Sequence, residues 1–229
     1  MDSDKEATIA ELEAPRFQTC SFFPYSLNEE SNIVLLMRNK KMSKNPNFYV
    51  DFGTSYKESD PCIFYSACRS YIKKCAGLCF GSNISILDQE EEVLKIIKET
   101  CQRTSIEIFD NDKVKSMMSQ FVKNQSHVVF DVICESHLAI FYPLPYFELE
   151  IINSVMSNAI DTIPNASKYQ DVTFNWITIK QISDPDFNKN FLTAFDYQII
   201  CRSADKLTGN LIGDQSRKIG HKYADFAVI

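Results

Sequence analysis

"FYVDFGTSYKESDPCIFYSACRSYIKKCAGL", from Phe48 to Leu78, is the stretch whose reading decides the fold. Its opening "FYVDFG" is rich in aromatic and β-branched residues and predicts a strand, closed by Gly53 at a turn needing unusual backbone angles. A helix follows. Asp60 suits an N-cap, Pro61 suits the first helical position, and Gly77 suits the stop. Between them Ile63, Phe64, Ala67, Cys68, Tyr71, Ile72 and Cys75 recur at three- and four-residue steps, an apolar stripe. The stripe leaves Arg69, Ser70, Lys73 and Lys74 toward the opposite side of the helix.

Upstream, "SNIVLLMR" from Ser31 predicts a buried strand, followed by the basic loop "NKKMSKNPN", and the charged first eighteen residues read as an acidic tail or a loose helix ahead of the domain. Downstream, "SNISIL" and "SIEIFD" predict strands, while "DQEEEVLKIIKETCQR" and "NDKVKSMMSQFVKN" predict helices. "SHVVFDVIC" and "SHLAIFYPL", separated by a short polar turn at Glu135, predict a hairpin. A helix in "PYFELEIINSVMSNAIDTI", a strand in "DVTFNWITIKQI" and a closing helix in "DPDFNKNFLTAFDYQIICR" complete the order. The lone Trp176 fits a core or sheet-face position, and the polar tail ends in apolar "FAVI".

The 229 residues are 45% hydrophobic and 12% aromatic, with seventeen Phe and ten Tyr, enough for one sizeable core. A net charge of -6 argues against binding nucleic acid through bulk positive potential. No run is long and apolar enough to cross a bilayer, and the acidic start lacks a secretory apolar core, so a soluble chain in a reducing compartment is expected. The eight cysteines are too sparse for a disulfide scaffold and lack the paired C-x-x-C spacing of a zinc site, so thiols are expected. Asp51-Phe52-Gly53 spells a kinase metal-binding tripeptide, yet the chain has neither the Gly-rich phosphate loop nor the catalytic loop that chemistry needs.

The order strand, Gly-containing loop, helix between Phe48 and Leu78 resembles the Nudix family. Members carry a Gly-led loop holding a Glu, then a helix reading Arg-Glu, apolar, any residue, Glu-Glu, any residue, Gly. In this chain Gly53 opens the loop, Glu58 is the candidate loop acid, Arg69 takes the helix Arg, and Gly77 stands one residue late. The resemblance implies an α/β (α+β) fold, a mixed-sheet sandwich flanked by helices. It divides the chain into an acidic tail (1–18), a Nudix-like domain (19–203) and a C-terminal extension (204–229).

The departures carry the functional expectation. Where such a helix holds its Glu residues, this chain has Ser70, Lys73 and Lys74. Hydrolysis of a nucleoside diphosphate linkage is assisted by divalent cations held on carboxylates, and side chains at i, i+3 and i+4 converge on one volume. Two ammonium groups there repel a cation. The first expectation is therefore a non-catalytic protein with a structural, assembly or protein-interaction role and no cofactor or metal; a virion component is one version of it.

Two alternatives stay open. Arg69, Lys73 and Lys74, joined by Glu58 and by Arg38, Lys40 and Lys41 from the preceding strand and loop, make a metal-free site for a nucleotide or RNA cap; the plainer account leaves these lysines solvated. A divergent hydrolase would instead hold its metal on displaced carboxylates, Glu58, Glu90, Glu91 and Glu92. A structural alternative pairs Arg69 with the loop acid, taken as Glu58.

Overall fold

The computed structural model describes residues 17–40, 48–78, 89–102, 114–119, 128–158, 163–164, 166–169 and 172–215. At its centre β1 (Thr19–Leu27) and β6 (His137–Pro143) run parallel, from Thr19 opposite His137 to Tyr25 opposite Pro143. The expected hairpin is present: β5 (Val129–Cys134) returns antiparallel against β6. On the other side β2 (Ile33–Lys40) pairs antiparallel with the end of β1 and, along residues 34–40, with β7 (Val172–Thr178). Among the described residues the result is a mixed seven-stranded sheet in an α+β fold.

Strand alternation sends alternate side chains to opposite faces, and each face has its own core. Cys20, Phe22, Leu36, Leu138, Ile140 and Phe174 meet the helices α1 (Ile63–Lys74), α2 (Glu90–Gln102) and α3 (Glu150–Asn158). Phe23, Leu35, Met37, Ala139, Phe141 and Ile177 meet Ile182 of α4 (Ile179–Ser183) and Ile199, Ile200 and Leu207 of α6 (Ala194–Gln215). Each fully buried Phe, Leu or Ile contributes roughly 1.5–3 kcal/mol relative to exposure. Trp176 lies on the sheet face against the first core and donates its indole N–H to the Phe147 carbonyl at 2.9 Å.

The feature that positions everything else is a split in the sheet. β1 and β2 pair only through Tyr25–Leu27, then diverge, and the segment 49–55 fills the gap. Within it β3 (Tyr49–Val50) pairs with β2, and β4 (Thr54–Ser55) pairs with β1. Phe22 bonds into this segment, its N–H to Asp51 Oδ2 at 3.0 Å and its carbonyl to the Phe52 N–H at 3.0 Å. Pro24 shares the phase of Phe22, so the N–H it lacks faces the split, where no strand partner needs it. The sequence reading placed no strand before Ser31, and a proline at this position argues against a central strand unless the sheet splits there.

Several expectations are corrected. Gly53 is not in the left-handed region; a Cβ there would lie 2.1 Å from the Cys20 carbonyl and 2.5 Å from Asp51 Oδ2, so close approach to β1 demands glycine. Gly77 does take a positive φ, 81°, as a helix stop should. The N-cap of α1 is Cys62, whose Sγ accepts from the Tyr65 N–H at 3.5 Å, and Asp60 does other work. "DVTFNWITIKQI" is strand only to Thr178, which caps α4 in a reciprocal box with Gln181. The closing helix is two: α5 (Pro185–Phe191) and α6, separated at Leu192 and Thr193.

Phe17 is buried, and α6 carries the buried Leu207. β5 is tied to α6 through buried Asp131, which accepts from Lys206 at 2.8 Å and Ser203 at 2.9 Å. Both flanking strands are met by side chains: Arg202 donates to the carbonyls of Val132 and Ile133, and Asn153 takes both backbone groups of Phe174. Among the described residues no helix is long and apolar enough to cross a membrane. "SNISIL", "SIEIFD" and "FAVI" lie outside the described residues.

Candidate functional site

Polar side chains from four elements converge on the split. From α1, Ser70 and Lys74 stand one turn apart and both donate to the Gly53 carbonyl, Ser70 Oγ at 3.4 Å and Lys74 Nζ at closer range. From β2, Arg38 Nε donates to the Asp51 carbonyl at 3.3 Å. Asp51 itself is held by the Phe22 N–H. Beyond the split, Asp196 of α6 is 6% exposed and accepts from Thr193 Oγ1 at 2.7 Å.

Burial sets the electrostatics of this cluster, because a charge removed from water favours its neutral form. It brings the Lys74 ammonium down to about 8, with Arg38 adding like-charge repulsion and Asp51 opposing. It lowers Arg38 as well, again with Asp51 opposing. It pushes the Asp196 carboxyl up to about 7, with the Asp51 charge adding and the Thr193 bond and Lys74 opposing. Cys20, beside the same segment, is pushed up to about 12 by burial.

Against the Phe195 ring, the buried His137 ring bonds Thr19 Oγ1 through Nδ1 at 2.7 Å and Ser21 Oγ through Nε2 at 3.2 Å. Burial lowers its pKa, against the opposing charge of Asp51. Among the described residues no carboxylate takes either ring nitrogen; with hydroxyls on both, the imidazole is held in place.

The expected ligand residues are dispersed. Arg69 is committed to Asp60, which it grips through Nε at 3.1 Å and through a second nitrogen at 2.6 Å. Asp60 is 6% exposed and also accepts from Ser66 Oγ at 2.6 Å, so the pair fastens the loop to α1. The loop acid of Arg69 is thus Asp60; Glu58 stands exposed on the neighbouring turn. Lys73 is partly exposed and its carbonyl accepts from the Tyr169 hydroxyl at 3.0 Å. Ser70 is buried, and Lys74 is half-buried, as Lys73 is, with its ammonium turned to the Gly53 carbonyl rather than left solvated.

Glu90, Glu91 and Glu92 form the first turn of α2, with Glu92 Oε2 3.5 Å from Lys95. The side chain of Lys40 and all of Lys41 lie outside the described residues. The seven described cysteines are thiols, and Cys79 lies outside the described residues.

A divalent cation does not fit at the Gly53 carbonyl. The oxygen is bonded to an ammonium, and a guanidinium stands close by. Unit like charges about 4 Å apart repel by about 4 kcal/mol at an effective dielectric of 20, and a divalent ion roughly doubles this. Asp51 is one carboxylate against two cations and already serves the backbone of Phe22. Among the described residues no three His, Cys, Asp or Glu side chains converge as a metal-binding group. Compared with protein-family models, with curated proteins and with solved structures, the chain has no match.

Proposed function

We propose that the chain is a non-catalytic, Nudix-like protein with a structural or protein-interaction role. One observation carries this: the Lys74 ammonium, with Ser70, occupies the Gly53 carbonyl at the turn where a metal-dependent diphosphate hydrolase would need a cation. The lysine acts as a built-in cation, closing loop to helix as a metal bridge would. Two exposed aromatic side chains, Phe191 and Phe195, favour a contact role over a purely internal one.

A second reading, binding of a phosphate-bearing nucleotide without hydrolysis, draws on the excess of positive charge where Arg38 and Lys74 face Asp51. The full chain incubated with Mg²⁺ or Mn²⁺ and ADP-ribose, a dinucleoside polyphosphate or capped RNA should release no product above a protein-free blank. Metal-dependent turnover would overturn the proposal. Saturable binding of the same compounds without turnover, weakened by Lys74→Gln, would favour the second reading.

A further inference from the structure

Three arginines lie among the described residues, and two of them are paired. Arg69 is gripped by the Asp60 carboxylate through two of its nitrogens, and Arg202 donates to the carbonyls of Val132 and Ile133 and stands 3.5 Å from Asp131. Arg38 is the exception. Its side chain is half-buried on β2, and its one hydrogen bond among the described residues runs from Nε to the Asp51 carbonyl. Its two terminal nitrogens take no described acceptor, which leaves the donor fork of the guanidinium unused. Neither of them is sealed from solvent, so the fork opens to water.

The charges nearby leave this guanidinium short of an anion. Among the described residues Asp51 is the one carboxylate whose charge acts on it, and that carboxylate is held by the Phe22 N–H. Lys74 of α1 draws on the same Asp51 and repels Arg38 as a like charge, while Asp196 bears on Lys74 from α6 and not on Arg38. A planar fork is matched by a carboxylate through two parallel bonds, the arrangement that Asp60 supplies to Arg69. A phosphate dianion fits less well, because it would meet Asp51 with twice the like charge.

We propose that the Arg38 fork is a receptor for a carboxylate of an acidic protein segment, an Asp or Glu side chain taken on its two terminal nitrogens. This rests on the protein-interaction reading above and gives that reading a partner chemistry. The carboxylate can come from a separate protein or from residues 1–16 of this chain, where Asp2, Asp4, Glu6, Glu11 and Glu13 outnumber Lys5 and Arg16. The second source joins the fold close to the site: Cys20, near the start of β1, is the residue whose carbonyl abuts Gly53.

Titration of the full chain with amidated hexaglutamate, read on the Arg38 guanidinium resonances by nitrogen NMR and by calorimetry, tests this, with inorganic phosphate at equal ionic strength as the rival probe. The peptide should shift those resonances saturably and bind more tightly than phosphate. Arg38→Gln and Arg38→Lys both lose the fork, and each should weaken peptide binding about tenfold or more. Replacing the five acids of residues 1–16 by their amides should tighten peptide binding several-fold where this chain supplies the carboxylate, and leave it unchanged where a partner does. Resonances that stay still in both chains, an affinity unaltered by Arg38→Gln, or phosphate binding more tightly than the peptide would overturn the receptor. Should neither Arg38 variant fold, the resonances decide. None of these results bears on the absence of turnover, by which the parent reading stands or falls.

Discussion

Replacing Lys74 with Met removes the ammonium while keeping most of the stem, and the consequence should be legible in stability against pH. Burial lowers the Lys74 pKa from 10.5 to about 8, so across that window the unfolded chain keeps a proton that the folded chain has lost. Stability from this group is therefore present above 10.5 and lost as the pH falls through about 8. At about 1.4 kcal/mol per pKa unit the full swing is about 3.5 kcal/mol, an upper limit because the Gly53 carbonyl favours the charged form. Cys20 works the other way: its thiol moves from 9.0 to about 12, so the folded chain loses stability as the pH rises from 9.0. The wild-type curve alone mixes the two, and the difference between wild type and Lys74→Met carries the lysine together with its smaller coupling to Cys20. Urea unfolding at pH 7, 8, 9 and 10, followed by circular dichroism, should show that difference moving in favour of wild type by at most about 1.4 kcal/mol per pH unit above 8. A difference that stays flat from pH 7 to 10 would refute the lowered Lys74 pKa.

Gly53→Ala should cost several kcal/mol or prevent folding, because the new methyl would meet the Cys20 carbonyl at 2.1 Å; wild-type stability in urea would contradict the wedge geometry. Asp60→Ala should cost about 3–5 kcal/mol by leaving the mostly buried Arg69 unpaired, while Glu58→Ala changes stability by less than about 0.5 kcal/mol; equal losses would undo the assignment of Asp60 as the partner. Asp131→Ala should cost less, about 1–3 kcal/mol, since Lys206 and Arg202 can turn to solvent and only Ser203 is left buried.

What the sequence disclosed divides along physical lines. Periodicity alone located β2, the β5–β6 hairpin, the stripe of α1 and the acid-headed α2, because each buries one face or one hydrophobic run. It missed β1 because Pro24 contradicts a central strand unless the strand is known to split there. The turn from β7 into α4 did leave a signal, Thr178 and Gln181 in capping-box spacing, hidden by the apolar run around it. At the site, the replacement of acids by Ser70 and Lys74 was legible, but not their burial, since helical spacing does not tell which polar flank a neighbouring loop will cover. Asp60 was noticed for the wrong task, as a cap rather than as the partner of Arg69. Asp196 carried no sequence signal, because its character comes first from burial and then from the charge of Asp51, some 145 positions away in the chain.

Crystals of the protein soaked in Mn²⁺ and measured for anomalous scattering test the central claim most directly. With Lys74 on the Gly53 carbonyl, the difference map should show no manganese at that oxygen, and the ammonium should remain in place. A manganese peak coordinated by the Gly53 carbonyl and Asp51, with Lys74 swung aside, would contradict it.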